Sequence, residues 1–481
     1  MTIKTVLHLI VVVTWIIALP ACDSTNVPTS RPNILFIMVD DLRPQFAAYG
    51  RSGMVTPALD RLATEGVVFK SAFVNVPVCG ASRASLMTGL RPTSTRFVNY
   101  LARADVDAPG ISTLPAYLKA AGYTTLSLGK VLHVEEDSLH AWSRPPWRPD
   151  QDEAVRAATS PRNYLDPVNI EADQNEDSKR GAPFERVNVP DTAYFDGMIA
   201  QQAIHELKTL GENEAPFFLA VGFLKPHLPF NAPAKYWDLY DPATISLADF
   251  GEMPTGAPKE AKHNWGELRN YGGIPEAPEP VSTEMARKLR HGYYAATSYV
   301  DAQLGKLLQA LDDLELAGNT IVVLMGDHGW SLGEHGLWAK HSTFNVATHT
   351  PLMIRAPGIA PGAANGLVEF VDIYPTLLDM TRIPSPGHLQ GESMLGMLRD
   401  PKNPGKEAVF PRWKMAENVR TRRYSYTEFR ANDGTLISHM LYNSVSDSDE
   451  TVNLANEPKH AADVARLRQM IAKTISERGG S

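Results

Sequence analysis

Asn33-Ile34-Leu35-Phe36-Ile37-Met38-Val39-Asp40-Asp41 is the stretch from which the fold can be read. Its continuous apolar run, β-branched and aromatic in character, predicts a strand buried on both faces, and it stops at two carboxylates. Three other runs end in the same way. Tyr123 to Leu128 leads into Gly129-Lys130-Val131-Leu132-His133, Phe217 to Phe223 into Lys225-Pro226-His227, and Thr320 to Met325 into Gly326-Asp327-His328-Gly329. Between the runs lie helical patterns. Thr56 precedes Pro57 to Glu65 as an N-cap, with Pro57 at the first helical position and Gly66 as the stop. Ser112 to Ala121, Asp191 to Leu210 and Thr283 to Leu316 carry apolar residues at helical spacing, with Tyr293, Tyr294 and Tyr299 read as core. Alternating strands and helices predict an α/β fold with a large, mostly parallel sheet covered by helices on both faces. Ligands of such sheets bind beyond the carboxyl ends of the strands, so the four polar clusters are expected to meet in one crevice.

The rest of the chain sets the boundaries. With 481 residues, 43% apolar and 21% charged, the composition is globular and excludes disorder, collagen and solenoids. A net charge of −8 leaves no basic surface for nucleic acid, so a polyanionic ligand requires a local cationic pocket. Residues 1–22 read as an export signal: Lys4, an apolar run from Val6 to Leu19, then Leu19-Pro20-Ala21-Cys22, which resembles a bacterial lipoprotein box. The protein is expected to be exported, periplasmic or anchored to the cell envelope, touching membrane only through lipid on Cys22. Residues 23–31 read as a linker, 32–404 as the main domain and 405–481 as a smaller one. In that last part short alternating runs predict an antiparallel sheet, and His460 to Arg478 an amphipathic helix.

The only cysteines are Cys22 and Cys79. With Cys22 in the export segment, Cys79 becomes a lone thiol in an oxidising compartment, a liability unless buried or chemically converted. It opens Cys79-Gly80-Ala81-Ser82-Arg83, the start of a short predicted helix that Gly89 and Pro92 stop. A helix N-terminus favours chemistry on an anionic ester.

That pentapeptide resembles the sulfatase signature Cys-x-Pro/Ala-Ser-Arg, whose cysteine a maturation enzyme oxidises to formylglycine. The resemblance runs over nearly the whole chain after the export segment and is to iduronate-2-sulfatase-like members of the alkaline phosphatase superfamily. It implies that Asp40, Asp41, Asp327 and His328, with residue 79, hold one divalent metal. So oxygen-rich a set favours calcium, with magnesium second. Many sulfatases carry asparagine where this chain has His328. Lys130 and His133 match the family's lysine and histidine pair, His227 the histidine that protonates the leaving alcohol, and Lys340 a lysine that binds sulfate oxygens. Arg83, Lys130 and Lys340 are expected to form a positive pocket, with Arg83 supporting the nucleophile and metal loop rather than touching substrate. In the implied mechanism one hydroxyl of hydrated formylglycine attacks sulfur, and the second expels sulfate when His133 removes its proton. The implied substrate is a sulfated sugar of a glycosaminoglycan or other polysaccharide, cleaved in exo fashion.

Two polar, proline-rich stretches, 135–190 and 236–280, are too long for ordinary connections and read as substrate-facing excursions. Two rival functions remain. One is a metal-dependent phosphoester or phosphonate ester hydrolase of the same superfamily, separable by rates on matched aryl esters. The other is a non-catalytic glycan-binding lipoprotein, which predicts an unmodified thiol at Cys79.

Overall fold

Strand β1 (Asn33–Val39) is central in a seven-stranded sheet with β2 (Val67–Phe73), β3 (Thr124–Gly129), β4 (Phe217–Phe223), β5 (Thr320–Gly326), β6 (Leu352–Arg355) and β7 (Gly362–Glu369). The computed structural model describes residues 31–175 and 179–479; the export signal, Cys22 and linker positions 23–30 lie outside the described residues. The strand order is β7-β2-β6-β5-β1-β4-β3. All pairs are parallel except those of β6, which runs against both β2 and β5. The four runs read from the sequence are the adjacent strands β5-β1-β4-β3. Strands β2, β6 and β7 come from stretches that carried no distinctive run.

Side chains alternate across β1, and the two faces pack different helices. Ile34, Phe36 and Met38 face a core containing Leu86 and Met87 of α2 (Cys79–Thr88), Leu114 and Leu118 of α3 (Leu114–Ala120), and Leu377 of α6 (Ile373–Thr381). Leu35, Ile37 and Val39 face Leu62 of α1 (Pro57–Glu65), Ile199 and Leu207 of α4 (Phe195–Gly211), and Leu304 and Leu311 of α5 (Thr283–Asp313). Every residue of β1 is buried, which explains the unbroken apolar run.

Helix boundaries differ in instructive ways. Thr56 occupies the N-cap of α1, but its side chain makes no capping bond. The carboxylate of Asp301 on α5 instead accepts from the amides of Ala58 and Leu59 at 3.0 and 2.7 Å, so tertiary packing replaces the local cap. Asp191–Ala193 forms a separate single turn before α4, and α5 ends at Asp313 rather than Leu316. Tyr293, Tyr294 and Tyr299 are buried, as the core reading requires.

The C-terminal antiparallel sheet comprises β8 (Ala408–Val409), β9 (Ala416–Thr421), β10 (Tyr424–Arg430) and β11 (Leu436–Asn443), with Arg412–Trp413 pairing at one end of β9. Helix α7 (Ala461–Glu477) lays Val464, Leu467 and Ile471 against Val419, Tyr426 and Leu441. Among the described residues no helix is long and apolar enough to cross a membrane.

Candidate active site

Register brings the chemistry to one edge of the sheet. Val39 pairs with both Phe223 and Gly326, and Gly129 with Gly222. The residues that follow these strands, Asp40-Asp41, Lys225 to His227, Asp327-His328 and Lys130 to His133, therefore emerge side by side. Asp41 adopts a left-handed backbone at φ 60°. Tyr293 of α5 pins it by donating its hydroxyl to the Asp41 carbonyl at 2.8 Å, while the Asp41 amide donates to Asp327 Oδ1 at 3.0 Å.

Cys79 is the first residue of α2 and is buried, its sulfur 3.2 Å from His328 Nε2. Ser82, one turn along, donates to the Asp327 carbonyl at 2.6 Å and ties the helix to the end of β5. The ligand atoms of Asp40, Cys79, Asp327 and His328 all lie within 4.8 Å of one another, as do those of Asp41, Cys79 and His227. Carboxylates are half of the residues in these two groups, beside one sulfur and two ring nitrogens, a donor set able to hold a divalent cation.

Arg83 is wholly buried and its guanidinium is fully used. It donates to Asp327 Oδ2 at 2.9 Å, to Asp40 Oδ1 at 3.2 Å and to the carbonyls of Lys130 and Val131. The expected positive pocket is corrected on this point. Arg83 lies behind the cavity wall, because two carboxylates and two carbonyls already claim its donors. Its expected supporting position, away from substrate, agrees with this burial.

In front of the cluster opens a cavity of about 540 Å³ whose wall includes Asp40, Cys79, Lys130, His133, His227 and Lys340. Lys130 pairs with Asp40, and Lys340 with Asp41 at 3.1 Å and Glu267 at 3.0 Å. Lys340 also sits 4.9 Å from the Trp330 ring centre. Burial alone would raise Asp40, but Lys130, His227 and Arg83 hold it well below the usual carboxylate range. Burial pushes Asp41 well above that range against Lys340 and His328. The Cys79 thiol is driven to about 12 by burial and by Asp40. Burial and Lys130 take His133 down to about 2, and its Nδ1 is buried with no hydrogen-bond partner. His227 is lowered by burial, Lys340 and Lys130; its Nε2 meets Glu267 at 2.9 Å and its Nδ1 faces the Leu228 carbonyl.

All ten side chains singled out in the sequence thus gather here, seven of them in buried positions and Lys130, His133 and His227 partly exposed at the cavity. Sequence reading missed Glu267, Tyr100, Arg162, Arg180 and Tyr271, which also line the cavity. Arg162 and Arg180 belong to the first long excursion and Glu267 and Tyr271 to the second, so both reach the site. Asp196, at the start of α4, was missed as well. Its carboxylate accepts from the amides of Leu224 and Lys225 at 2.8 Å and holds the loop that carries His227. Nothing in the local sequence marks these residues; their role arises from chain segments far apart.

The comparisons agree with this geometry. The family model for sulfatases matches residues 32–383, and a model described as N-sulphoglucosamine sulphohydrolase, C-terminal, matches 333–477. The chain is similar to the human iduronate 2-sulfatase, with 33% identity over 92% of this chain and 94% of that protein. Among solved structures it resembles a phosphonate monoester hydrolase of Agrobacterium radiobacter, with TM-score 0.75, 23% identity, and 93% and 96% of the two chains covered. It also resembles a 2-O GAG sulfatase, with TM-score 0.70, 23% identity and 93% coverage of both chains. At those identities the structural matches speak for the fold. Together with the buried cysteine cluster beneath a cationic cavity, the sequence matches identify the chain as a member of the sulfatase family, a sulfuric ester hydrolase.

Proposed function

We propose that the protein is an exported sulfatase that removes sulfate from a sugar unit of a glycosaminoglycan or related polysaccharide in exo fashion, using formylglycine made from Cys79 and a calcium or magnesium ion. The observation that carries this reading is the burial of Cys79 at the start of α2, among Asp40, Asp327 and His328, on the floor of a cavity bearing Lys130 and Lys340. The similarity to human iduronate 2-sulfatase supports the substrate class. Export rests on the sequence of residues 1–22.

The residues present fit the cation. Asp40, Asp41, Asp327 and His328 would supply its donors, and a positive charge there offsets the burial that pushes Asp41 upward. The unmodified thiol does not suit the reaction, because with its pKa at about 12 it stays protonated at neutral pH. When present, formylglycine supplies an ionisable hydroxyl as nucleophile, and the metal lowers the cost of that ionisation. Arg83 keeps Asp40 and Asp327 aligned. Lys130 and Lys340 offset the negative charge of the sulfate oxygens in the cavity. His133 stands on the cavity wall with an unpartnered Nδ1, placed to take a proton, and His227 lies on the same wall to give one to the leaving oxygen.

The test is mass spectrometry of the peptide spanning Cys79 after co-expression with a formylglycine-generating enzyme. It is followed by sulfate release from 2-O-sulfated uronic acid disaccharides and from matched aryl sulfate, phosphate and phosphonate esters. Conversion of Cys79, preference for sulfate, and activity lost to a chelator and restored by calcium are expected. An unmodified thiol in a host that converts a control sulfatase, or a preference for phosphonate, overturns the reading.

A further inference from the structure

We propose that Glu267 is a positioning residue of this site, holding His227 and Lys340 in the arrangement through which they meet the ester. The proposal rests on the parts given above to those two side chains.

Glu267 belongs to a single helical turn, Gly266–Arg269, inside the second long excursion. The turn is anchored on both sides: Trp265 and Leu268 are buried, and the Arg269 guanidinium lies 3.4 Å from the Trp265 ring centre. The carboxylate is therefore delivered to the cavity on a fixed support. One oxygen, Oε1, lies 2.9 Å from His227 Nε2 and 3.0 Å from Lys340 Nζ. Asp41 Oδ2 is 3.9 Å from the same ring nitrogen, beyond hydrogen-bond reach, so Glu267 is the carboxylate that orients the imidazole. The other ring nitrogen faces the Leu228 carbonyl. In its protonated, proton-giving form the ring donates to both acceptors, so its plane is held and Nε2 is kept in the cavity.

Lys340 is shared between Asp41 and Glu267. Asp41 also belongs to the candidate cation cluster, and a carboxylate engaged by a cation binds an ammonium less strongly. Glu267 is then the anchor that keeps Lys340 between the Trp330 face and the cavity. One carboxylate thus sets the spacing between a proton donor and a sulfate-binding cation.

The experiment uses the matured full chain and a series of aryl sulfates, from nitrophenyl to methoxyphenyl, whose leaving phenols become progressively less acidic. Proton donation matters most for the poorest leaving group. In E267A, kcat is expected to fall on every ester through the displaced Lys340, and to fall about 10-fold or more further on the methoxyphenyl than on the nitrophenyl ester, with added formate restoring part of the loss. H227A is expected to show the same leaving-group dependence. A uniform loss across the series, or no loss, in E267A while H227A remains leaving-group dependent overturns the proposal and leaves the part of His227 standing. If H227A is itself insensitive to the leaving group, the part given to His227 falls and this proposal with it. E267Q keeps the shape of the side chain and is read by the same ratio should E267A not fold.

Discussion

Arg83 shows how much a single residue can hold. It has no exposed surface, two ion-paired carboxylates and two backbone carbonyls, and so links α2, the ends of β1 and β5 and the loop after β3. Truncating one member of such a buried network leaves the other charges uncompensated, a cost of about 3–5 kcal/mol. R83A is therefore expected to lower the urea midpoint strongly even in protein that carries no modification at Cys79. A lysine at this position is expected to restore only part of the loss, because one ammonium cannot match a planar fork with four acceptors. An R83A chain as stable as the parent would refute this account. The sequence made Arg83 visible through the pentapeptide, but its full burial was not readable there, since an arginine next to Ser82 is most often a surface residue.

At the scale of elements, α2 is set by what leans on its first turn. Gly80 has the Tyr100 backbone packed against it: an added Cβ would stand 2.0 Å from the Tyr100 carbonyl oxygen and 2.6 Å from its carbon. Backbone on that side cannot turn away as a flexible side chain could. G80A gains helix propensity of up to about 1 kcal/mol. Displacement of the Tyr100 segment is expected to outweigh that gain, for a net loss of about 1–3 kcal/mol. The loss is measurable as a lower denaturation midpoint, with faster proteolysis between Phe97 and Arg103; unchanged stability and protection would contradict it. Tyr100 also lines the cavity and meets the His133 ring edge-on at 5.7 Å, so the same substitution should disturb activity. The four strands ending at the site were legible because strands buried on both faces need continuous apolar runs. The strands β2, β6 and β7 were not, since β2 carries Lys70 and Ser71 and β6 is only four residues long. The cap of α1 failed as a local reading because Asp301, 243 positions from Ala58, supplies its acceptor.

The whole molecule keeps several histidines neutral. His349, against the Phe73 ring and the Lys70 carbonyl, is lowered from 6.5 to about 4 by burial and by Arg420. His263 and His341 are lowered to about 4 and about 3 by burial, Lys414 adding to it for His263. For each, the folded state binds fewer protons than the unfolded chain between those values and 6.5. Stability contributed by the neutral forms is thus present above about pH 6.5 and is lost as the pH falls toward 4. Thermal midpoints are expected to drop over that interval, and H349Q, which removes one such group, should show a shallower decline than the parent. Equal slopes in the two proteins would exclude His349 as a contributor.

The sequence by itself determined the α/β sheet and the family, and it singled out ten side chains that the structure brings together at one candidate site. Each is a property of short range: an unbroken apolar run, a pentapeptide, a polar cluster directly after a strand. The tertiary structure decided which of those side chains face the cavity and which stand behind it, and it supplied Glu267, Arg162, Arg180 and Asp196 from distant segments. The physical reason is that periodicity and local chemistry act over a few neighbouring residues. Burial, ion pairing and the shape of a cavity exist only once segments hundreds of residues apart have packed together.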